Sequence, residues 1–354
     1  MQKPTILVTG ATGKTGSASI TQLLGKGYPV RALVHRPDAR SEGLRKLGAE
    51  IVVGSLEDMT DLHAAMTGVQ RAYFCPPLEP GTLRRATLFA AAAQVARLEV
   101  VVALSQWLAD AHHPATHSRE KWLSNKVFEW APGLDVVTVN PGFFADNYMA
   151  ALEPMAHFGL MGIPLGKGLN APPSNEDIAR VVVGALTNPA PYIGKSYRPT
   201  GPRLMAPEDI AAAIGEALGR KVTYQDVPMK LFFKVAKSLG ISEFVIEELS
   251  HFLRDYQRNA FGIGAPTDAV LEVAGVQPEP FEEIARRYVA TSGFAERTFR
   301  SNLTAVHHLI AGLLTSAPAP SAIAQRLHLP ALNHPLLAAE SASWRARHAP
   351  QGIA

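Results

Sequence analysis

Apolar and polar positions switch between two periods along the first 150 residues. The run Ile6-Leu7-Val8 leads into Thr9-Gly10-Ala11-Thr12-Gly13-Lys14-Thr15-Gly16, after which Ile20, Leu23 and Leu24 recur at helical spacing. The change repeats down the chain. Val30–Val34, Glu50–Gly54, Gly68–Phe74, Glu99–Leu104 and Val136–Asn140 read as strands, and 58–67, 81–97 and 117–130 read as helices. Strands separated by helices of this length predict βαβ units and a parallel sheet, an α/β doubly wound fold. Right-handed crossovers bring every strand C-terminus to one edge, where ligands bind. That edge collects Gly10, Arg36, Ser55, Cys75, Ser105 and residues Asn140 to Phe144.

After Phe144 the pattern changes. Residues 149–168, rich in Met, Gly, Phe and Pro, read as an insertion. Ser174-Asn175-Glu176-Asp177 caps a helix to about Thr187, and Tyr192–Pro199 reads as a further strand. A helix over 207–219, a short strand over 222–227 and helices over 230–300 follow. The expected organisation is a nucleotide-binding domain over 1–150, to which 174–200 return. A smaller, mainly helical substrate domain takes 151–173 and 201–315. The tail 316–354 is Ala- and Pro-rich with little periodicity, so no structure is expected there.

Gly10, Gly13 and Gly16 stand at G-x-x-G-x-x-G between a strand and a helix, as a dinucleotide pyrophosphate site requires. The helix start offers free N–H groups and a positive dipole end to the phosphates. Gly13-Lys14-Thr15 also resembles the end of an NTPase P-loop. That loop needs glycine where this chain has Val8, so it is excluded. The second strand ends at His35-Arg36 with no carboxylate before Asp38, which favours the 2′-phosphate of NADP(H) over NAD(H).

Composition narrows the classes. A chain of 354 residues, 47% hydrophobic and 18% charged, is globular in type. A net charge of +3 without a long basic run gives nucleic-acid binding little support, and no apolar run suits a membrane span. The chain enters a strand by residue 5, leaving no room for a leader, and its one cysteine, Cys75, suits a reducing, cytoplasmic setting. Cys75 reads as a packing residue. His112, His113 and His117 read as solvated loop histidines, because their spacing is no zinc pattern; no metal is expected.

These features resemble the NmrA-like branch of the atypical short-chain dehydrogenases/reductases. The carriers are Val8 to Gly16, Val30 to Arg36, Gly54-Ser55-Leu56-Glu57-Asp58, Asn140-Pro141-Gly142-Phe143-Phe144-Ala145-Asp146-Asn147 and Glu176-Asp177-Ile178-Ala179. The resemblance implies a Rossmann domain, a small C-terminal domain and a cleft between them. It places the cofactor on Gly10, Thr12, Gly13, Lys14, Thr15, Gly16, Arg36, Ser55, Leu56, Cys75, Pro76, Pro141, Gly142 and Phe143. Two departures stand out. Ser55 replaces the aspartate that many members place near the adenine. The usual Tyr-x-x-x-Lys pair is missing from residues 118–130, where an ungapped count puts Trp122 at the lysine position, Lys121 beside it and Lys126 a turn further. Lys126 as proton donor and Ser105 at its strand end are the expected catalytic residues. The expected function is an NADPH-dependent reductase of a conjugated, apolar small molecule such as a quinone or azo compound. The alternative is a non-catalytic NADP(H) sensor that binds a protein partner.

Overall fold

The computed structural model describes residues 3–294 and 299–349. Strand and helix alternate as β1 (Ile6–Val8), α1 (Lys14–Gly25), β2 (Val30–Val34), α2 (Ala39–Lys46), β3 (Glu50–Val53), α3 (Met59–Met66) and β4 (Arg71–Phe74), then α4 (Thr82–Ala96), β5 (Val100–Leu104), α5 (Thr116–Trp130) and β6 (Asp135–Val139). There follow α6 (Ala145–Met149), α7 (Leu152–Phe158), β7 (Leu160–Gly162), α8 (Asn175–Thr187), β8 (Ser196–Tyr197), α9 (Pro207–Ala217) and β9 (Thr223–Gln225). Helices α10 (Met229–Ser238), α11 (Glu243–Gln257), α12 (Ala269–Ala274), α13 (Phe281–Ser292), α14 (Phe299–Leu314), α15 (Pro320–Arg326) and α16 (Ala342–His348) complete the chain.

Seven strands form one parallel sheet in the order β3-β2-β1-β4-β5-β6-β8, and β7 pairs with β9 apart from it. Strand order reverses between β1 and β4, the place where doubly wound sheets bind ligands. The sheet is covered on both faces, so β1 and β5 are apolar at every position. Ile6, Val8, Val100 and Val102 face a layer that includes Ile20, Leu23, Ile178 and Val182 of α1 and α8. Leu7, Val101 and Ala103 face Leu62, Phe89 and Phe128 of α3, α4 and α5. Side chains start three of these helices: Asp38 caps α2, Asp58 caps α3 and Ser174 caps α8.

A third core gathers around Trp107, Phe143, Tyr148, Tyr256 and Phe261, largely between the β6–α8 connection and α11. Here the insertion predicted over 149–168 acquires structure as the end of α6, then α7 and β7. The chain end differs from expectation as well. Residues 320–326 and 342–348 are helical, and Trp344 is wholly buried in this third core. One large aromatic ring supplies apolar area that the Ala- and Pro-rich pattern around it does not reveal. Among the described residues no helix is long and apolar enough to cross a membrane.

Candidate active site

The turn between β1 and α1 is built on backbone approaches that only glycine permits. Gly10 takes φ +58°, and a Cβ there would lie 2.3 Å from the Cys75 carbonyl oxygen. A Cβ on Gly16 would lie 2.2 Å from the Gly10 carbonyl oxygen, so α1 rests directly on the turn. The Gly13 N–H closes the turn on Gly10 O at 2.9 Å. Thr9 locks it to the neighbouring strand, its Oγ1 accepting the Cys75 N–H at 2.8 Å. Gly13 precedes α1 with no side-chain cap, so the first-turn N–H groups stand ready for an anion. Thr12 is half-buried beside them, and Thr15 is buried with its Oγ1 3.6 Å from the Cys75 Sγ.

Arg36 lies exposed just past β2, and no hydrogen bond or ion pair engages it among the described residues. Ser55 and Leu56 lie half-buried just past β3. The Ser55 Oγ accepts the Glu57 N–H, and Asp61 Oδ2 accepts the Ser55 N–H at 2.8 Å. Asp61 thus brings a carboxylate to the strand end where Ser55 replaced one. Cys75 and Pro76 follow β4; burial pushes the Cys75 thiol up, so it is no thiolate. Pro141 and Gly142 follow β6, with Pro141 O accepting the Trp107 N–H at 3.0 Å. The Phe143 ring packs edge-on against Tyr148 and Tyr256, at centroid distances of 5.2 and 5.4 Å. It belongs to the third core rather than to an open pocket.

Lys14 faces the C-terminal half. It pairs with Asp146 and lies 5.7 Å from the Tyr288 ring centroid, while the Tyr288 hydroxyl donates to the same carboxylate. A polar pocket of about 390 Å³ opens beside α1, lined in part by Lys14, Ser17, Gln22, Asn175 and Tyr288. It lies off the ends of β4, β5 and β6, where the more reactive groups gather.

Ser105 Oγ, just past β5, is buried without a partner, as is Asn140 Oδ1 just past β6. Buried polar atoms in proteins are nearly all bonded, so these two orphans make this sheet edge a candidate ligand site. The amine that reaches the end of β5 is that of Lys121, not Lys126. Lys121 is 4% exposed, and its Nζ donates to Leu104 O at 2.6 Å. Burial pulls its pKa down to about 8, against smaller opposing effects of Cys75 and Glu120. Lys126 pairs instead with Glu129 at 2.5 Å and lies 5.8 Å from the Trp122 ring centroid. The reason is helix geometry: five residues at 3.6 per turn rotate Lys126 off the buried face.

The histidines also depart from a solvated loop. His112 is exposed, but His113 is wholly buried. The His113 Nδ1 accepts the Ala115 N–H at 3.0 Å, and its Nε2 lies 2.8 Å from Asp255 Oδ2. His117 is buried with Nδ1 3.3 Å from Thr82 Oγ1. Burial, then Lys121 and Arg85, hold its pKa well below the ordinary value, so it is neutral near pH 7. Helix α5 has no cap of its own; Glu248 of α11 supplies one, its Oε1 accepting the His117 N–H at 2.9 Å. Burial pushes the Glu248 carboxyl up to about 8. Among the described residues no group of three or more His, Cys, Asp or Glu is placed to hold a metal ion.

A seven-stranded parallel sheet with a glycine turn at its β1–α1 crossing defines a Rossmann-type α/β protein. Within that class the chain belongs to the NmrA-like family, whose model matches residues 2–283. The NAD(P)H azoreductase of Xenophilus azovorans is 28% identical over 295 residues, 82% of this chain and 100% of that protein. Two solved structures share the fold. The NADPH-dependent quinone oxidoreductase of Escherichia coli, complexed with NADPH, aligns at TM-score 0.70 and 22% identity over 80% of this chain and 99% of its own. NmrA, a negative transcriptional regulator in complex with NADP, aligns at TM-score 0.70 and 19% identity over 82% and 97%.

Proposed function

We propose that the protein is an NADPH-dependent reductase acting on a conjugated, apolar small molecule such as a quinone or azo compound. The observation that carries this reading is the buried ammonium of Lys121 at the ends of β4 and β5, beside the unpartnered Ser105 hydroxyl and the glycine turn. The cofactor fits the residues present. The uncapped start of α1 suits the pyrophosphate, the unengaged Arg36 suits the 2′-phosphate, and Ser105 and Asn140 hold unmet hydrogen-bonding capacity along the rest of the edge.

When bound, the nicotinamide supplies a hydride. Ser105 Oγ donates to the acceptor and orients it. Lys121, with its pKa near 8, donates a proton to the acceptor atom that becomes basic on reduction. Leu104 O and the buried face of α5 aim that ammonium, and the Glu248 cap fixes the start of the helix. Neutral His117, one turn before Lys121, adds no competing positive charge. The azoreductase relative supports the acceptor class, and the single free Cys75 accords with a cytoplasmic setting. A cofactor sensor is the second reading, favoured by the absence of tyrosine from α5. NADPH oxidation assayed across quinones and azo compounds separates the two: the reductase turns over, and the sensor binds NADPH without consuming it.

A further inference from the structure

The loop from Ser105 to Ala115 joins β5 to α5 and therefore sets the placement of Ser105, His117 and Lys121. It is held by a part of the chain that lies outside the family match, which ends at residue 283. Leu336 N–H donates to His112 O at 2.9 Å. Trp344 Nε1 donates to Trp107 O at 2.9 Å, and Arg347 pairs with the buried Asp110 at 2.8 Å. The Trp344 ring stacks on His348 at 3.9 Å, and His348 in turn lies 5.2 Å from the Trp107 ring. Gly264 admits this segment closely: a Cβ there would sit 1.9 Å from the His348 carbonyl oxygen. Trp107, which meets both Trp344 and His348, also reaches the other side of the site. Its N–H donates to Pro141 O, and its ring would lie 3.7 Å from a Cβ on Gly142.

We propose that residues 336–348 form a clamp that positions the β5–α5 loop for acceptor binding, with Trp344 and Arg347 as its positioning residues. The proposal rests on the reductase reading above. The clamp acts on the Ser105–Lys121 side of the edge and touches neither the glycine turn nor Arg36, so it governs the acceptor and leaves the cofactor alone. A segment that served stability only would move both together.

The test uses the full chain with Arg347→Ala, Trp344→Phe and Trp344→Ala. Four quantities are measured in each: amide hydrogen exchange over 106–115, NADPH Kd, and kcat and KM for 1,4-naphthoquinone. The clamp predicts exchange over 106–115 faster by about tenfold in Arg347→Ala, as expected for local opening of a loop. It also predicts a naphthoquinone KM raised by roughly fivefold or more, with NADPH Kd changed less than about twofold. Trp344→Phe, which keeps the stacking, should lie between parent and Trp344→Ala. Should Trp344→Ala fail to fold, the other two variants decide. Unchanged loop exchange and KM beside normal parent turnover overturn the clamp, as does a parallel rise in NADPH Kd and in exchange across the sheet. Absent parent turnover, with exchange quickened only over 106–115 in the variants, overturns the reductase reading and supports the clamp as the loop's anchor.

Discussion

Replacing Lys121 by Met should make the protein more stable and much less active. With its pKa held at about 8 rather than the ordinary 10.5, the buried ammonium costs the folded state roughly 3 kcal/mol at pH 7. Met fills similar space without charge, but it leaves Leu104 O without the donor it now has, a loss of about 1 kcal/mol. The net expectation is a gain of about 2 kcal/mol, or a Tm higher by roughly 3 °C. The pH dependence follows from the direction of the shift. Between about 8 and 10.5 the folded parent binds fewer protons than the unfolded chain, so its stability rises with pH. The advantage of Lys121→Met is therefore full below about pH 8, falls to zero somewhat below pH 10.5, and above that becomes a deficit of about 1 kcal/mol from the lost bond to Leu104 O. Urea unfolding of both proteins across that range measures it, and turnover should fall by about 100-fold or more as the proton donor is lost. A variant no more stable than the parent at pH 7, or a stability difference independent of pH, would refute the reasoning.

Arg36→Ala should raise the NADPH Kd by about tenfold or more through loss of a charge-assisted bond, while NADH binding changes less than about twofold. Equal losses, measured by fluorescence titration, would remove Arg36 as the selector. Gly16→Ala drives a Cβ towards the Gly10 carbonyl at 2.2 Å, so it should cost about 2 kcal/mol and abolish detectable NADPH binding; normal titration of the variant would contradict this. Asp146→Asn removes the carboxylate that holds Lys14, an exposed and screened contact, so NADPH should bind tighter by up to about fivefold, and weaker binding would show that Asp146 helps the site.

What could be seen in the chain and what could not divide along the range of the interactions. The glycine turn is a local feature: a strand, three glycines and a helix are neighbours in sequence, so spacing alone exposes it. The sheet is legible for a related reason, since strands covered on both faces must be apolar throughout. Which of Lys121 and Lys126 meets the sheet is harder to read, because it depends on which face of α5 is buried. The signal was present: His117, Lys121, Ser124 and Phe128 are all buried and follow one another at helical spacing, and Lys126 is off that stripe. Glu248 had no such signal, because a cap supplied across 131 residues leaves no local pattern. The chain end was hidden for another reason. Helix α16 has 7 residues and is anchored by one tryptophan, too little for periodicity to show. Asp61, by contrast, lies six residues from Ser55 and was within reach of a turn-based reading.

The central claim is that Lys121 and Ser105 serve hydride transfer from a cofactor held at Gly10 to Gly16. Stopped-flow oxidation of NADPH by 1,4-naphthoquinone and by an azo compound, with deuterium placed on either face of nicotinamide C4, tests it most directly. The account predicts saturable oxidation, slowed by deuterium on one face only and by about 100-fold or more in Lys121→Met. NADPH that binds to the parent protein and stays reduced with every acceptor would contradict it.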